Sequence, residues 1–68
     1  MWRSIKIEGL PSNDDQQVLF ARWHKEWRTF LCCYSARWGE VKDFRAYELK
    51  NEYTHWCVID NFPEDEQQ

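Results

Sequence analysis

Between residues 14 and 38 the large apolar side chains recur at a spacing that constrains everything else the chain can do. Placed at about 100° per residue, Leu19, Phe20, Trp23, Trp27, Phe30, Leu31, Tyr34 and Trp38 fall within about 120° of arc. Arg22, Lys25, Glu26, Arg28 and Thr29 lie outside that arc. The pattern predicts one long amphipathic helix over 14–38. Asn13 would cap it with Gln16 three residues on, Asp14 and Asp15 would sit against its positive start, and Gly39 would stop it.

The flanks read as strands. Residues 2–8 alternate, with Arg3, Ile5 and Ile7 on one side and Trp2, Ser4, Lys6 and Glu8 on the other, until Gly9-Leu10-Pro11 breaks the run. Val41, Phe44 and Ala46 are candidates for the inner face of a strand over 41–49. Their spacing needs a bulge or a start at Asp43, and a short helix is the competing reading. Lys50-Asn51-Glu52 suits a turn. Residues 53–60 are β-prone, with Trp56 and Val58 on one face and Tyr53, His55, Cys57 and Ile59 on the other. The expected order is β-α-β-β: an α+β domain over 1–62, one long amphipathic helix packed on a three-stranded antiparallel sheet, and an acidic flexible tail over 63–68.

With 68 residues the chain is near the lower limit for folding unaided, and its five Trp partly compensate, since one Trp buries on the order of 200 Å². A net charge of −3 argues against capture of nucleic-acid backbones by the whole molecule. The charge is uneven, however. Arg22, Lys25, Arg28 and Arg37 against Glu26 give a local balance of +3, whereas Asp60, Glu64, Asp65 and Glu66 stand without a base. The absence of a span-length apolar run or a charged-then-apolar leader leads to a cytoplasmic expectation. Three cysteines, two of them adjacent at Cys32 and Cys33, fit reduced structural thiols better than a disulfide framework.

The two kinds of element differ in reach. A helix of about 25 residues is about 37 Å long, whereas strands of six to eight residues span about 20–27 Å. The overhanging end of the apolar stripe, at Trp38, is therefore expected to be covered by a partner or a second copy. On this reading Trp38→Ala alters association more than stability, and Trp23→Ala is a core truncation.

Catalysis needs a nucleophile with its base, an acid–base pair, a metal or a cofactor cradle. Two glycines cannot build a phosphate loop. His55 and Cys57 share a strand face but are half of a metal site, and His24 lies at the margin of the helical arc. A non-enzyme without cofactor or metal is expected.

Ile5-Lys6-Ile7-Glu8-Gly9-Leu10 resembles the first-strand signature of the RNA-recognition-motif family, and Gly39-Glu40-Val41 its entry to the second strand. Residues 53–60 fall where its aromatic third-strand signature would be. The resemblance covers residues 4–60 and implies a ferredoxin-like half fold. Its base-stacking positions are matched by Lys6, His55 and Cys57, none a strong stacking platform, and its last by the acid Asp60; Tyr47, Tyr53 and Arg45 still offer some stacking, which keeps RNA binding as the alternative function. In style the chain is also similar to small phage-encoded anti-CRISPR and anti-defence inhibitors. That likeness implies a non-catalytic module docking on a larger protein or complex, with a second copy as another candidate partner and a structural subunit as a further alternative. The expected partner-binding residues are Trp2, Arg45, Tyr47, Tyr53 and His55 on the sheet and Arg28, Tyr34, Arg37 and Trp38 on the helix. The acids Glu8, Asp43, Glu48, Asp60, Glu64, Asp65 and Glu66 could compete for a nucleic-acid channel on the target.

Overall fold

The computed structural model describes residues 1–61. It is α+β, and its elements run β1 (Arg3–Ser4), α1 (Ile5–Glu8), β2 (Gln17–His24), β3 (Thr29–Arg37), α2 (Trp38–Glu52) and β4 (His55–Val58). The strands form one antiparallel sheet in the order β1-β4-β2-β3, and α2 is the one long helix. The expected tail over 63–68, with Glu64, Asp65 and Glu66, lies outside the described residues, as does the end of the expected domain at residue 62.

The expected helix over 14–38 is instead the β2–β3 hairpin. Twelve aromatics in a short chain let more than one period fit the rings. Period two is the one that matches burial: Val18 and Phe20 are fully buried, and along β3 half-buried Phe30, Cys32, Tyr34 and Ala36 alternate with exposed neighbours. Six of the nine β3 residues are β-branched, aromatic or otherwise unhelpful to a helix interior: Thr29, Phe30, Cys32, Cys33, Tyr34 and Ser35. The turn at residues 25–28 closes with Arg28 N–H donating to His24 O at 2.7 Å. Arg28 takes a left-handed φ of 55° there.

The reading of residues 41–49 resolves toward helix, since they lie inside α2. Val41 and Leu49 face the core while Phe44 and Tyr47 face solvent, so apolar side chains stand on both sides and mimic a strand. The expected first strand keeps only Arg3 and Ser4. Ser4 Oγ then accepts from Ile7 N–H at 3.3 Å and starts a single helical turn, which buries Ile5. Residues 53–60 do contain a strand, and Trp56 and Val58 do face one way with His55 and Cys57 the other. Tyr53 departs from that pattern: it ends α2, its N–H donating to Leu49 O at 3.1 Å, and its ring packs 6.1 Å from Phe20.

The core joins α2 to one face of the sheet through Ile5, Val18, Phe20, Trp38, Val41, Leu49 and Trp56. Trp56 also donates from its indole N–H to Gly9 O at 2.8 Å, tying the α1 exit to β4. Trp38, expected at an overhang, is only 5% exposed. With no long rod there is no overhang, and the length mismatch disappears.

Gly39 does not stop a helix. It is the second residue of α2, where its N–H donates to Asp14 O at 2.9 Å. A Cβ at this position would sit 2.8 Å from that backbone oxygen and 3.0 Å from Asp14 Cβ. Gly39→Ala is therefore expected to lower stability by about 1–2 kcal/mol, the overpacking strain outweighing the roughly 1 kcal/mol of helix propensity that alanine brings. Urea titration checks this; an alanine variant more stable than the parent would show that the loop at Asp14 yields freely.

Candidate binding surface

Cross-strand pairing sorts the paired strand residues onto two faces. Arg3, Trp56, Phe20 and Tyr34 form one row beneath α2, and Val18, Val58 and Ala36 form the next. The opposite face carries the row Ser4, His55, Ala21 and Cys33, then Leu19, Cys57 and Ser35, then Gln17 and Arg37. α2 packs against β2 and β3 on the first face, so the second is left open.

One irregularity makes the open face aromatic. Ala21 pairs with Cys33, but two residues further Trp23 pairs with Phe30, so β3 carries one residue more than β2 across this step. Even-numbered β3 residues before the bulge (Cys32, Tyr34 and Ala36) face α2; the extra residue turns Phe30 to the other side. There its ring lies edge-on to Trp23 at 4.9 Å and tilted against Trp2 at 4.5 Å. Trp2, which immediately precedes β1, thus reaches across the sheet to β3. Together with His55 these rings line an apolar hollow of about 270 Å³.

Thr54 positions two members of the group. Its hydroxyl accepts from Trp23 N–H at 2.9 Å and is hydrogen-bonded to His55 Nδ1 at 2.7 Å. Its backbone N–H and C=O join Ala21 and Ile5, at 3.0 and 2.9 Å. The cluster therefore rests on backbone already fixed by the sheet.

Beside the cluster is the hairpin tip, where His24 stacks on Trp27 at 4.4 Å and its Nδ1 accepts from Trp27 N–H at 3.1 Å. Trp27 itself is 69% exposed. Arg22, Lys25 and Arg28 against Glu26 make this end net +2. The other end of the sheet is acidic: Asp15, Arg37 and Asp60 line one hollow, with Asp14 ion-paired to Lys42 at 2.7 Å and Glu40 to Arg37 at 3.8 Å. Among the described residues, the strand positions that point to the open face carry no carboxylate.

Of the expected partner-binding residues, Trp2 and His55 meet in the cluster. Arg28 lies in the nearby turn and Arg37 at the far end of β3. The others are dispersed. Tyr34 faces α2 with the Arg45 guanidinium 4.7 Å above its ring, and Arg45 also pairs with Glu48 at 3.0 Å. Tyr47 is on the solvent side of α2, Tyr53 packs on the core, and Trp38 is buried within it. The acids are scattered too: Glu8 is ion-paired to Arg3 at 2.7 Å, Asp43 and Glu48 are on α2, and Asp60 follows β4. Trp23 and Phe30, both assigned to a helix core from sequence, are the central residues that reading missed. Alternation along β2 could have revealed Trp23; the bulge hides Phe30.

His55 and Cys57 do share the open face, but no group of three or more His, Cys, Asp or Glu side chains capable of holding a metal forms among the described residues. Nor is any helix among them long and apolar enough to cross a membrane. The segments that resemble the RNA-recognition signatures take other shapes here: Ile5–Glu8 is a helical turn and Gly39-Glu40-Val41 lies in the first turns of α2.

Burial pushes the Cys57 thiol above its ordinary pKa, with Cys33 adding to the effect. The folded state thus holds this proton at a pH where the unfolded chain has released it. Stability is accordingly complete below about pH 8.5 and falls as pH rises through and above it. Cys57→Ala is expected to make the melting temperature less sensitive to alkali between neutral pH and about pH 10. Parallel slopes for parent and variant would remove Cys57 as the cause.

No family model matches the chain, and neither a curated protein nor a solved structure does so.

Proposed function

We propose that this chain is a non-catalytic binding module that docks on a larger protein through the open face of its sheet. The observation that carries the reading is the Trp2–Trp23–Phe30 cluster, held beside His55 on a face that the helix leaves uncovered. Large aromatics in a rigid, partly desolvated setting dominate binding energy at protein interfaces, and a soluble domain rarely exposes such a group without a use. A module of this size acts by occupying its partner's surface, which is the inhibitory mode suggested by its likeness in style to phage anti-defence proteins.

The test is capture of a partner from host lysate by three immobilised forms: the parent, Trp2→Ala and Tyr47→Ala. Both substituted residues are solvent-facing, at 39% and 78% exposure, so the fold tolerates either change. A protein retained by the parent and by Tyr47→Ala, and lost with Trp2→Ala, supports the reading. Equal retention by all three would move the interface elsewhere.

Nucleic-acid binding is a second reading, favoured by the carboxylate-free face next to a hairpin with four bases and one acid (Arg22, Lys25, Arg28 and Arg37 against Glu26). Bases could stack on Trp2 and Phe30 while Arg28 and Lys25 meet phosphates. A mobility-shift series with a single-stranded oligonucleotide, losing binding steeply as salt rises, would support it. Absence of a shift at low salt would leave the protein-docking reading alone.

A further inference from the structure

We infer that the hollow between α1, the last turn of α2 and the start of β4 binds a small organic anion, an apolar body that ends in a carboxylate or a phosphate. The inference stands apart from the docking reading, since only His55 borders both this hollow and the one at the aromatic cluster. Its volume is about 830 Å³, within the roughly 300–1,000 Å³ usual for small-molecule sites. The sheet holds its parts in place. Ile5 N–H donates to Thr54 O at 2.9 Å, and Thr54 N–H donates to Ala21 O at 3.0 Å, which ties α1 to the entry of β4 and both to β2.

The lining separates into an apolar part, polar side chains already engaged, and two charges left over. Ile5, Leu10 and Tyr53 supply the apolar surface. Ser4 Oγ accepts from Ile7 N–H at 3.3 Å, Asn51 Nδ2 donates to Tyr47 O at 2.8 Å, and the Thr54 hydroxyl is taken up by Trp23 N–H and His55 Nδ1. The remaining polar groups include the ammonium groups of Lys6, from α1, and Lys50, from α2. The ion pairs among the described residues use Arg3, Arg37, Lys42 and Arg45, so neither lysine is paired. No Asp or Glu lines the hollow.

Charge selects the ligand. Of the nearest acids, Glu8 is held by Arg3 at 2.7 Å, and Glu52 closes α2 without lining the hollow. The C-terminal end of a helix ordinarily disfavours an anion, with a potential equivalent to roughly half an elementary charge. Here Leu49 O accepts from Tyr53 N–H at 3.1 Å, and Tyr47 O accepts from Asn51 Nδ2, which takes up part of that potential. Two full positive charges outweigh the rest. A neutral ligand would leave both ammonium groups unused, and a cation would be repelled by them. A bare inorganic anion would leave the apolar surface wet. An anionic head on an apolar body satisfies both parts of the lining at once.

Amide chemical-shift titration of the full chain tests this with octanoate, octyl phosphate, octanol and inorganic phosphate as probes. The two amphipathic anions are expected to bind saturably, to move the amides of Lys6, Asn51 and Thr54, and to bind less readily at high salt. Octanol and inorganic phosphate should each bind at least about fivefold more weakly. Lys6→Gln/Lys50→Gln alters two exposed, unpaired side chains, so the spectrum elsewhere should persist. Its affinity for both anions should fall about fivefold to tenfold, with that for octanol unchanged. Octanol binding as tightly as octanoate overturns the inference, and does so without the variant. Parental affinity for the anions in the double variant overturns it as well. So do shifts centred on Trp23 and Phe30, or no saturable binding of either anion by about 10 mM. Lysine-dependent sedimentation with phosphatidylglycerol vesicles, without binding of free octanoate or octyl phosphate, would make the hollow a membrane contact and overturn it too.

Discussion

Phe20→Ala is expected to remove most of the folded population at room temperature. Phe20 is fully buried, sits in the cross-strand row between Trp56 and Tyr34, and lies 6.1 Å from the rings of both Trp38 and Tyr53. Truncating such a side chain costs about 3–5 kcal/mol, from lost transfer energy and the cavity left behind. A core of this size rarely supplies more than about 3–5 kcal/mol of net stability, so the two quantities nearly cancel. The ring is also the link between sheet and helix, touching the end of β3, the start of α2 and its exit at Tyr53. Collapse of the cavity would require those three elements to move together. Phe20→Leu keeps most of the volume and should lose less than about 1.5 kcal/mol. Urea titration followed by circular dichroism distinguishes them. If Phe20→Ala shifts the transition by less than about 1 kcal/mol, the sheet–helix interface is looser than its burial indicates.

Sequence reasoning reached the α+β class and the final strand, and lost the middle of the chain, with it the element order and the fourth strand of the sheet. Residues 55–58 were legible because Trp56 and Val58 alternate with His55 and Cys57, with no helical alternative that fits so short a run. Residues 17–37 were misread for a physical reason. A two-faced sheet with apolar residues on both faces gives rings at odd and even positions alike. Sampled at 3.6 residues per turn, Phe20 and Tyr34 from one face and Trp23 and Phe30 from the other merged into one apparent seam. The turn residues 25–28 carry no Gly, Pro, Asn or Asp, so no ordinary hairpin signal interrupted the pattern. Gly39 offered a plausible helix stop because its real constraint, the backbone of Asp14 across a loop, is a tertiary contact. Of the candidate surface, Trp2 and His55 are singled out in the sequence by residue type and alternation. Phe30 depended on a one-residue register shift that no local spacing encodes.

The same correction reverses what two tryptophan substitutions should do. Trp38→Ala is expected to cost about 3–5 kcal/mol, since its ring is buried in the core against Phe20. Its backbone N–H, held by Gln16 O, would survive the change, but the first turn of α2 would lose the side chain that anchors it to the sheet. Trp23→Ala should lower stability less, by about 1–2 kcal/mol, because its ring is half-buried on the open face and packs on Phe30 rather than beneath the helix. Its larger effect should be on partner capture, since removing it opens the floor of the hollow shared by Trp2, Phe30 and His55. A long helix with a seam ending at Trp38 demands the opposite ordering, with Trp23 structural and Trp38 adhesive. Melting curves and capture measured on both variants therefore discriminate two folds as well as two surfaces. If Trp38→Ala kept the parental melting temperature while Trp23→Ala unfolded the chain, the hairpin would be wrong, and the open aromatic face with it.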